Sequence, residues 1–361
     1  MHKDKAWDII IIGGGIIGLS LAIALRRRGA AVLIVERGEP GREASHAAGG
    51  MLVDCHLETL PALQPLATAS VQMYPEFVHE LEVESGIKVG LRNQGTILFL
   101  SPDQQPDAQL ANAAITSTAV AEMEPALADL HLRAFHLRER SVDPRALTAA
   151  ALMTAKNRGV DFSSGDAVTA VNLSDGRAAG VATVKTSFLA SKVVNCAGAW
   201  AGQIKTGQIG PHSLPTRPVK GQMLYLVMPS HDLIKHVIRA PGAYLIPRSD
   251  GRLLVGTTVE EAGFDKRTDP ATIQRLRQAA VALAPKLADA RMLEDWAGLR
   301  PGTPDALPIL GATLTPGYYV ATGHYRDGIM LAPITAQLMA AVIEGRNPEH
   351  DLTPFSPQRF R

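Results

Sequence analysis

Two groups of residues carry chemistry through their type and spacing. Gly13, Gly15 and Gly18 form a GxGxxG pattern between two apolar runs, and Glu36 closes the next apolar run, 18 residues past Gly18. Glycines there permit a tight turn and the close approach of a pyrophosphate, whose charge is stabilised by free amides and the dipole of a helix start. The acid accepts hydrogen bonds from both hydroxyls of an adenosine ribose and repels a 2′-phosphate, which disfavours NADP and leaves FAD and NAD. The second group centres on Arg300, in the apolar, turn-forming stretch WAGLRPGTPD (296–305). A buried guanidinium is costly without a partner, so its surroundings must hold an anion. Asp295 or Asp305 would serve, and so would a ligand.

These residues need elements to hold them. Residues 8–12 read as a buried strand and 16–28 as a helix closed by Gly29, with a second strand over 31–35 leading into Glu36. The same apolar run, 9–25, approaches the length of a membrane span, but Gly13 to Gly15 interrupt it, so no span is expected. Then comes EASHAAGGML (43–52), whose small side chains let backbone lie against something large and flat, or pack on a helix. Asp143 and Pro144 suit the N-cap and first residue of a helix reaching about 158, followed by short strands and KVVNCAGAWA (192–201). Near the end, a strand at 318–322, the loop GHYRDG and a helix over 333–343 repeat the strand, loop, helix order.

Between these segments the pattern becomes antiparallel. Strands are expected at 96–100, 223–228, 242–246 and 252–258, with turn chemistry at Arg248, Ser249, Asp250 and Gly251. A helix over 270–287 is capped by Asp269 and turns Ile273, Leu276, Ala280 and Leu283 to one side. The expected fold is therefore α/β: a Rossmann-like dinucleotide domain with an inserted antiparallel sheet domain. The first comprises 1–85, 138–214 and 296–361, and the second 86–137 and 215–295.

Bulk properties agree with a large globular chain. It has 361 residues, of which 46% are hydrophobic, and 36 Lys and Arg against 35 Asp and Glu leave a net charge of +1. That balance favours neither nucleic acid nor an anionic membrane as partner. Cys55 and Cys196 lie far apart without metal-binding spacing, so neither a disulfide framework nor a metal site is indicated and a cytoplasmic setting is expected.

IIGGGIIGLSLA, REASHAAGGML, VVNCAGAWA, YLIPRSDGRLLVGTT, WAGLRPGTPDALPILG and ATGHYRDGIMLAP occur in this order, and together they resemble the D-amino acid oxidase superfamily, and within it the glycine oxidases of thiamine biosynthesis. The resemblance runs from about residue 8 to 345. It implies non-covalent FAD, although His46 lies where some relatives attach flavin. It also implies oxidation of glycine or a related small amino acid, with hydride passing from the α carbon to flavin N5. The resulting imine would hydrolyse to a 2-oxo acid and ammonia, and oxygen would accept the electrons. A D-amino acid dehydrogenase, a sarcosine-type N-alkyl amino acid oxidase and a flavin-holding subunit of a complex remain alternatives. A homo-oligomer is implied as well.

Residue by residue, the resemblance makes Arg300, Arg326 and Tyr244 the catalytic and carboxylate-binding set, with Met51 also at the substrate. For the cofactor it implies Gly13, Gly15, Ile16, Ile17, Gly18, Glu36 and Arg37, then Ala44, Ser45, Gly49, Gly50 and Met51 along the small-residue stretch. Val168, Ala197, Gly198 and Trp200 follow. From the last motif come His324, Tyr325, Arg326, Asp327, Gly328, Ile329 and Met330, with His324 shaping the loop and a pairing of Arg326 with Asp327 as the structural alternative.

Overall fold

The computed structural model describes residues 7–54, 59–206 and 214–360. Cys55 lies outside the described residues, and Cys196 is a buried free thiol. The strand Trp7–Ile12 (β1), the helix Ile16–Arg27 (α1) and the strand Val32–Glu36 (β2) begin the first of two eight-stranded sheets. β1 pairs in parallel with β2 and with Ser187–Asn195, and the latter pairs in parallel with Tyr318–Thr322. A parallel sheet of this kind is covered on both faces, which explains strands that read as continuous apolar runs rather than alternating ones. Ile9, Ile11, Val32 and Ile34 enter a core with α1 and the helices Gln64–Ser85, Pro144–Asn157 and Ala332–Ile343. Ile10, Ile12, Leu33 and Val35 face the opposite way, into a core with Val171 and Val181 of an antiparallel meander.

The caps fall where side-chain chemistry puts them. Asp143 accepts hydrogen bonds from the Arg145 and Ala146 amides, and Asp269 accepts one from the Thr272 amide. The helix expected over 270–287 ends earlier, at Pro270–Leu283, because Pro285 cannot continue it; a 3₁₀ turn, Pro285–Asp289, follows.

The second sheet is built from Thr96–Leu100, Ala114–Ile115, Arg133–Leu137, Arg217–Val227, Val237–Ala240, Ala243–Pro247, Arg252–Gly256 and Arg291–Gly302. Arg291–Gly302 lies at its edge, and Leu293 there has no partner between the pairs Tyr225–Glu294 and Leu226–Met292, so the strand carries a bulge. The domain limit expected at 295/296 falls inside this strand, whose ladder with Arg217–Val227 runs through to Gly302. One face of the sheet packs Leu224, Leu245 and Val255 against Ile273, Leu276 and Leu283 of the Pro270–Leu283 helix. The other face looks toward the first sheet.

The helix Gln64–Ser85 has no counterpart in the sequence reading. It fixes the chain just before the Ala332–Ile343 helix: the Ser70 hydroxyl donates to the Met330 carbonyl at 2.6 Å, and the Tyr74 hydroxyl donates to the Ile329 carbonyl at 2.5 Å, both buried. Tyr74→Phe removes this bond and leaves the Ile329 carbonyl with the Ala332 amide alone, which is expected to cost about 0.5–1.5 kcal/mol. Thermal melts against wild type check this, and an unchanged midpoint contradicts it.

Candidate functional site

A cavity of about 950 Å³ runs between the two sheets. At one end lie β1, the glycine turn and α1. A side chain at Gly13 would sit 2.5 Å from the Cys196 carbonyl oxygen, and its φ of +105° suits glycine alone. A side chain at Gly18 would collide with the Gly13 carbonyl, so Gly18 lets helix and turn pack closely without lining the cavity. No acidic residue occupies the first turn of α1, and the Ser45 hydroxyl accepts a hydrogen bond from the Ile16 amide at 2.9 Å. This helix start is thus open to an anion. Glu36 is buried at the end of β2, where its carboxylate accepts from the Gly14 and Gly38 amides at 2.8 and 2.9 Å. Arg37 stacks over the Trp200 ring at 3.9 Å, and both line the cavity.

Across the middle, Ala44, Ser45, Gly49, Gly50 and Met51 line one side, with Ile16, Ile17, Val168, Ala197 and Gly198 nearby. His324, Tyr325, Arg326, Asp327, Gly328 and Ile329 also line it, whereas Met330 does not; its side chain is buried in the core beneath. The Tyr325 amide donates to the Pro301 carbonyl at 3.0 Å, which ties this loop to the strand that carries Arg300. His324 is buried and its Nε2 lies 3.1 Å from the Thr335 hydroxyl; burial takes the imidazole down to about 3.

The far end is made by the antiparallel sheet, and its register explains which side chains meet. Arg300 pairs with Val219, Gly221 with Gly298, Met223 with both Trp296 and Gly256, and Gly256 with Tyr244. Directly opposed residues share a face, so Arg300 and Tyr244 point to the same side across three strand spacings, roughly 14 Å. Glycines stand on the intervening strands. A Cβ at Gly256 would lie 2.6 Å from the Tyr244 ring, and one at Gly221 would strike the Arg300 guanidinium. Each side chain therefore lies across a glycine, and the two converge.

Arg300 sits among neutral acceptors. Its Nη1 donates to the Lys220 and Thr258 carbonyls at 3.3 and 3.1 Å, and its Nη2 donates to the Thr257 hydroxyl at 2.9 Å. Asp305 pairs with Arg359 instead, and among the described residues no carboxylate lies within 4 Å of Arg300. Burial draws the guanidinium below its ordinary value, and Arg326 pushes in the same direction. Arginine nevertheless stays charged in proteins, so the cation has unspent attraction for an anion. Burial raises the Tyr244 phenol, while Arg300 pulls it the other way. Arg326 stands at the exposed rim of the cavity, with no ion pair among the described residues.

The two domains are also locked together beside this end. Arg248, buried, donates to the Gly49 carbonyl at 2.7 Å and the Val142 carbonyl at 2.9 Å. Arg145 pairs with Glu294 at 2.5 Å and stacks over Trp296 at 4.6 Å. The Trp296 indole donates to the Ala47 carbonyl at 3.3 Å. As site residues Gly221, Gly256 and Thr257 are absent from the sequence reading, where Arg248 enters as a turn residue and Trp296 as part of the apolar stretch around Arg300. Glycine inside a strand pattern does signal close approach, so Gly221 and Gly256 were open to discovery; the contacts of the other three depend on pairing that sequence alone does not display.

A long cavity with a helix start and an acid at one end, a cation at the other, and small residues between them is the arrangement of a dinucleotide-dependent enzyme. The chain belongs to the FAD dependent oxidoreductase family, whose model matches residues 8–342. It is 33% identical to a glycine oxidase of Pseudomonas putida over 97% of this chain and 98% of that protein. The crystal structure of glycine oxidase from Geobacillus kaustophilus matches with a TM-score of 0.92 at 32% identity, covering 98% of this chain and 99% of that one. The chain is also 35% identical to a Synechocystis bifunctional protein ThiO/ThiG, of which it spans about half the length (54%). The cofactor is therefore FAD, and the fold joins a Rossmann-like FAD-binding domain to an antiparallel substrate domain. Among the described residues no group of three or more His, Cys, Asp or Glu is placed to hold a metal ion, and no helix is long and apolar enough to cross a membrane.

Two outcomes follow from this geometry. Gly256→Ala is expected to raise the substrate KM roughly tenfold or more by displacing Tyr244, because overpacking of about 1–3 kcal/mol falls on that ring; steady-state kinetics give the answer, and an unaltered KM contradicts it. The second concerns acid stability. His324 has its ordinary value of 6.5 when unfolded and about 3 when folded, so the unfolded chain binds the extra proton between those values. Stability from neutral His324 is complete above about pH 6.5 and is lost as pH falls toward 3, by at most roughly tenfold in the folding equilibrium per pH unit. Melts of wild type against His324→Gln across that range should show the steeper acid loss in wild type.

Proposed function

We propose that this chain oxidises glycine or a related small amino acid, with Arg300 anchoring the substrate carboxylate. The observation that carries it is a half-buried, largely desolvated guanidinium facing an FAD-sized cavity, with neutral protein acceptors and no carboxylate neighbour among the described residues. The glycine oxidases among its relatives, matched over nearly full length, support the substrate class.

The site residues fit the cofactor. The glycine turn, the α1 start and Glu36 would hold the adenosine and pyrophosphate, and the Gly49 to Met51 backbone would lie along the flavin with Ala197, Gly198 and the His324 to Ile329 loop around it. When bound, FAD supplies a two-electron acceptor for the hydride that leaves the substrate α carbon.

The chain itself contributes placement. Arg300 pairs with the carboxylate through charge-assisted bonds that lysine cannot reproduce, Tyr244 adds its hydroxyl, and Arg326 adds positive potential at the rim. Held at its acid end, the substrate has few remaining orientations, so rate comes from proximity and orientation. The amine must be neutral to form an imine, and water then converts the imine to the 2-oxo acid and ammonia. His324 is buried and neutral with its Nε2 turned to Thr335, so its imidazole takes no part in that proton transfer.

Oxygen as final acceptor, a homo-oligomeric state, a cytoplasmic setting and a place in thiamine biosynthesis complete the proposal. The ThiO/ThiG relatives support the last. Anaerobic mixing with glycine should bleach the yellow flavin, and air should restore it within seconds to minutes if oxygen is the acceptor. Arg300→Ala should raise KM by roughly 100-fold, the loss of about 3 kcal/mol of charge-assisted binding. No bleaching with glycine or any small amino acid, or an unchanged KM in that variant, sinks the proposal.

A further inference from the structure

We infer that Thr257 is a positioning residue, which selects the edge of the Arg300 guanidinium that faces the cavity and thereby sets carboxylate affinity. This rests on the carboxylate-anchoring role proposed above. A guanidinium carries five N–H donors in one plane. Three go to fixed acceptors of the sheet: Nη1 gives to the Lys220 and Thr258 carbonyls, and Nη2 gives to the Thr257 hydroxyl, while the Tyr244 phenol also hydrogen-bonds the guanidinium. The remaining Nε–H and second Nη2–H share one edge, with the spacing of the two oxygens of a carboxylate.

The Thr257 contact is what fixes that edge. Both backbone acceptors hold Nη1, at one corner of the fork, and leave Nη2 without a grip. Thr257 is the one of the three that grips Nη2, and holding a second nitrogen resists displacement of the far edge. Its hydroxyl is also oriented, since its proton goes to the Gln222 and Thr258 carbonyls, both at 3.3 Å. The oxygen therefore presents lone pairs to Arg300 and acts as an acceptor. Thr257 lines the cavity between Arg300 and Tyr244, beside the phenol it helps to perturb. Gly221 supplies the floor, since any larger residue there would lift the guanidinium away from these acceptors.

The test uses the FAD-loaded enzyme and acetate, a carboxylate without an amine, titrated through its perturbation of the flavin absorption band. Thr257→Val should weaken acetate binding roughly tenfold or more, the effect of removing one bond to a charged donor. The glycine KM should rise in parallel while kcat stays within about threefold, and Thr257→Ser should restore both. FAD content and melting temperature should match wild type; if the valine variant loses FAD, Thr257→Ala removes the hydroxyl without added bulk and carries the same comparison. Wild-type acetate affinity in the hydroxyl-free variants, alongside lost affinity in Arg300→Met, overturns the positioning role and leaves the anchor standing. Wild-type affinity in Arg300→Met overturns the anchor itself.

Discussion

A permanently charged guanidinium set among neutral oxygens is the constraint around which the substrate domain is organised. Burying it is unfavourable, and carbonyl and hydroxyl acceptors offset only part of that cost. In the proposed role an incoming carboxylate recovers that deficit, which a protein acid beside Arg300 would otherwise fill.

Everything near that charge is arranged so that it is reachable. Two glycines on intervening strands allow an arginine and a tyrosine, three strands apart, to lean toward each other over a flat sheet. The other face of the same strands packs Leu224, Leu245 and Val255 against the Pro270–Leu283 helix, with Lys220 and Gln222 buried beside them, so the reactive face rests on a packed backing. Arg145, Arg248 and Trp296 then pin this sheet to the small-residue stretch of the FAD domain, so that Arg300 and that stretch keep one spacing.

Much of the first domain was legible in the sequence because its signals are local. A strand, a glycine turn, a helix and a terminal acid follow one another within thirty-odd residues, and capping aspartates at 143 and 269 announce their helices directly. The substrate domain was legible only as β-rich segments. Which of their residues face the cavity depends on register, and register is a long-range property. Glycine oxidase-like motifs supplied Tyr244, Arg300 and Arg326, but not the Gly221 and Gly256 floor or the Thr257 contact. The Gln64–Ser85 helix went unread because Pro75 lies inside it and its apolar spacing is weak, while Ser70 and Tyr74 act on a loop some 255 residues away in sequence. Gly18 and Met330 show the opposite limit, since both belong to motifs at the cavity but face the packing behind it.

The bulge at Leu293 gives the edge strand an asymmetry that natural variation can exploit. A residue gained or lost outboard of it can be taken up as slack, because pairing is already broken there. Inboard, between Glu294 and Arg300, the ladder is continuous, and a single insertion would invert the alternation and turn the guanidinium to the opposite face of the sheet, away from the cavity. Relatives of this enzyme should therefore tolerate indels on one side of position 293 and keep strict length on the other.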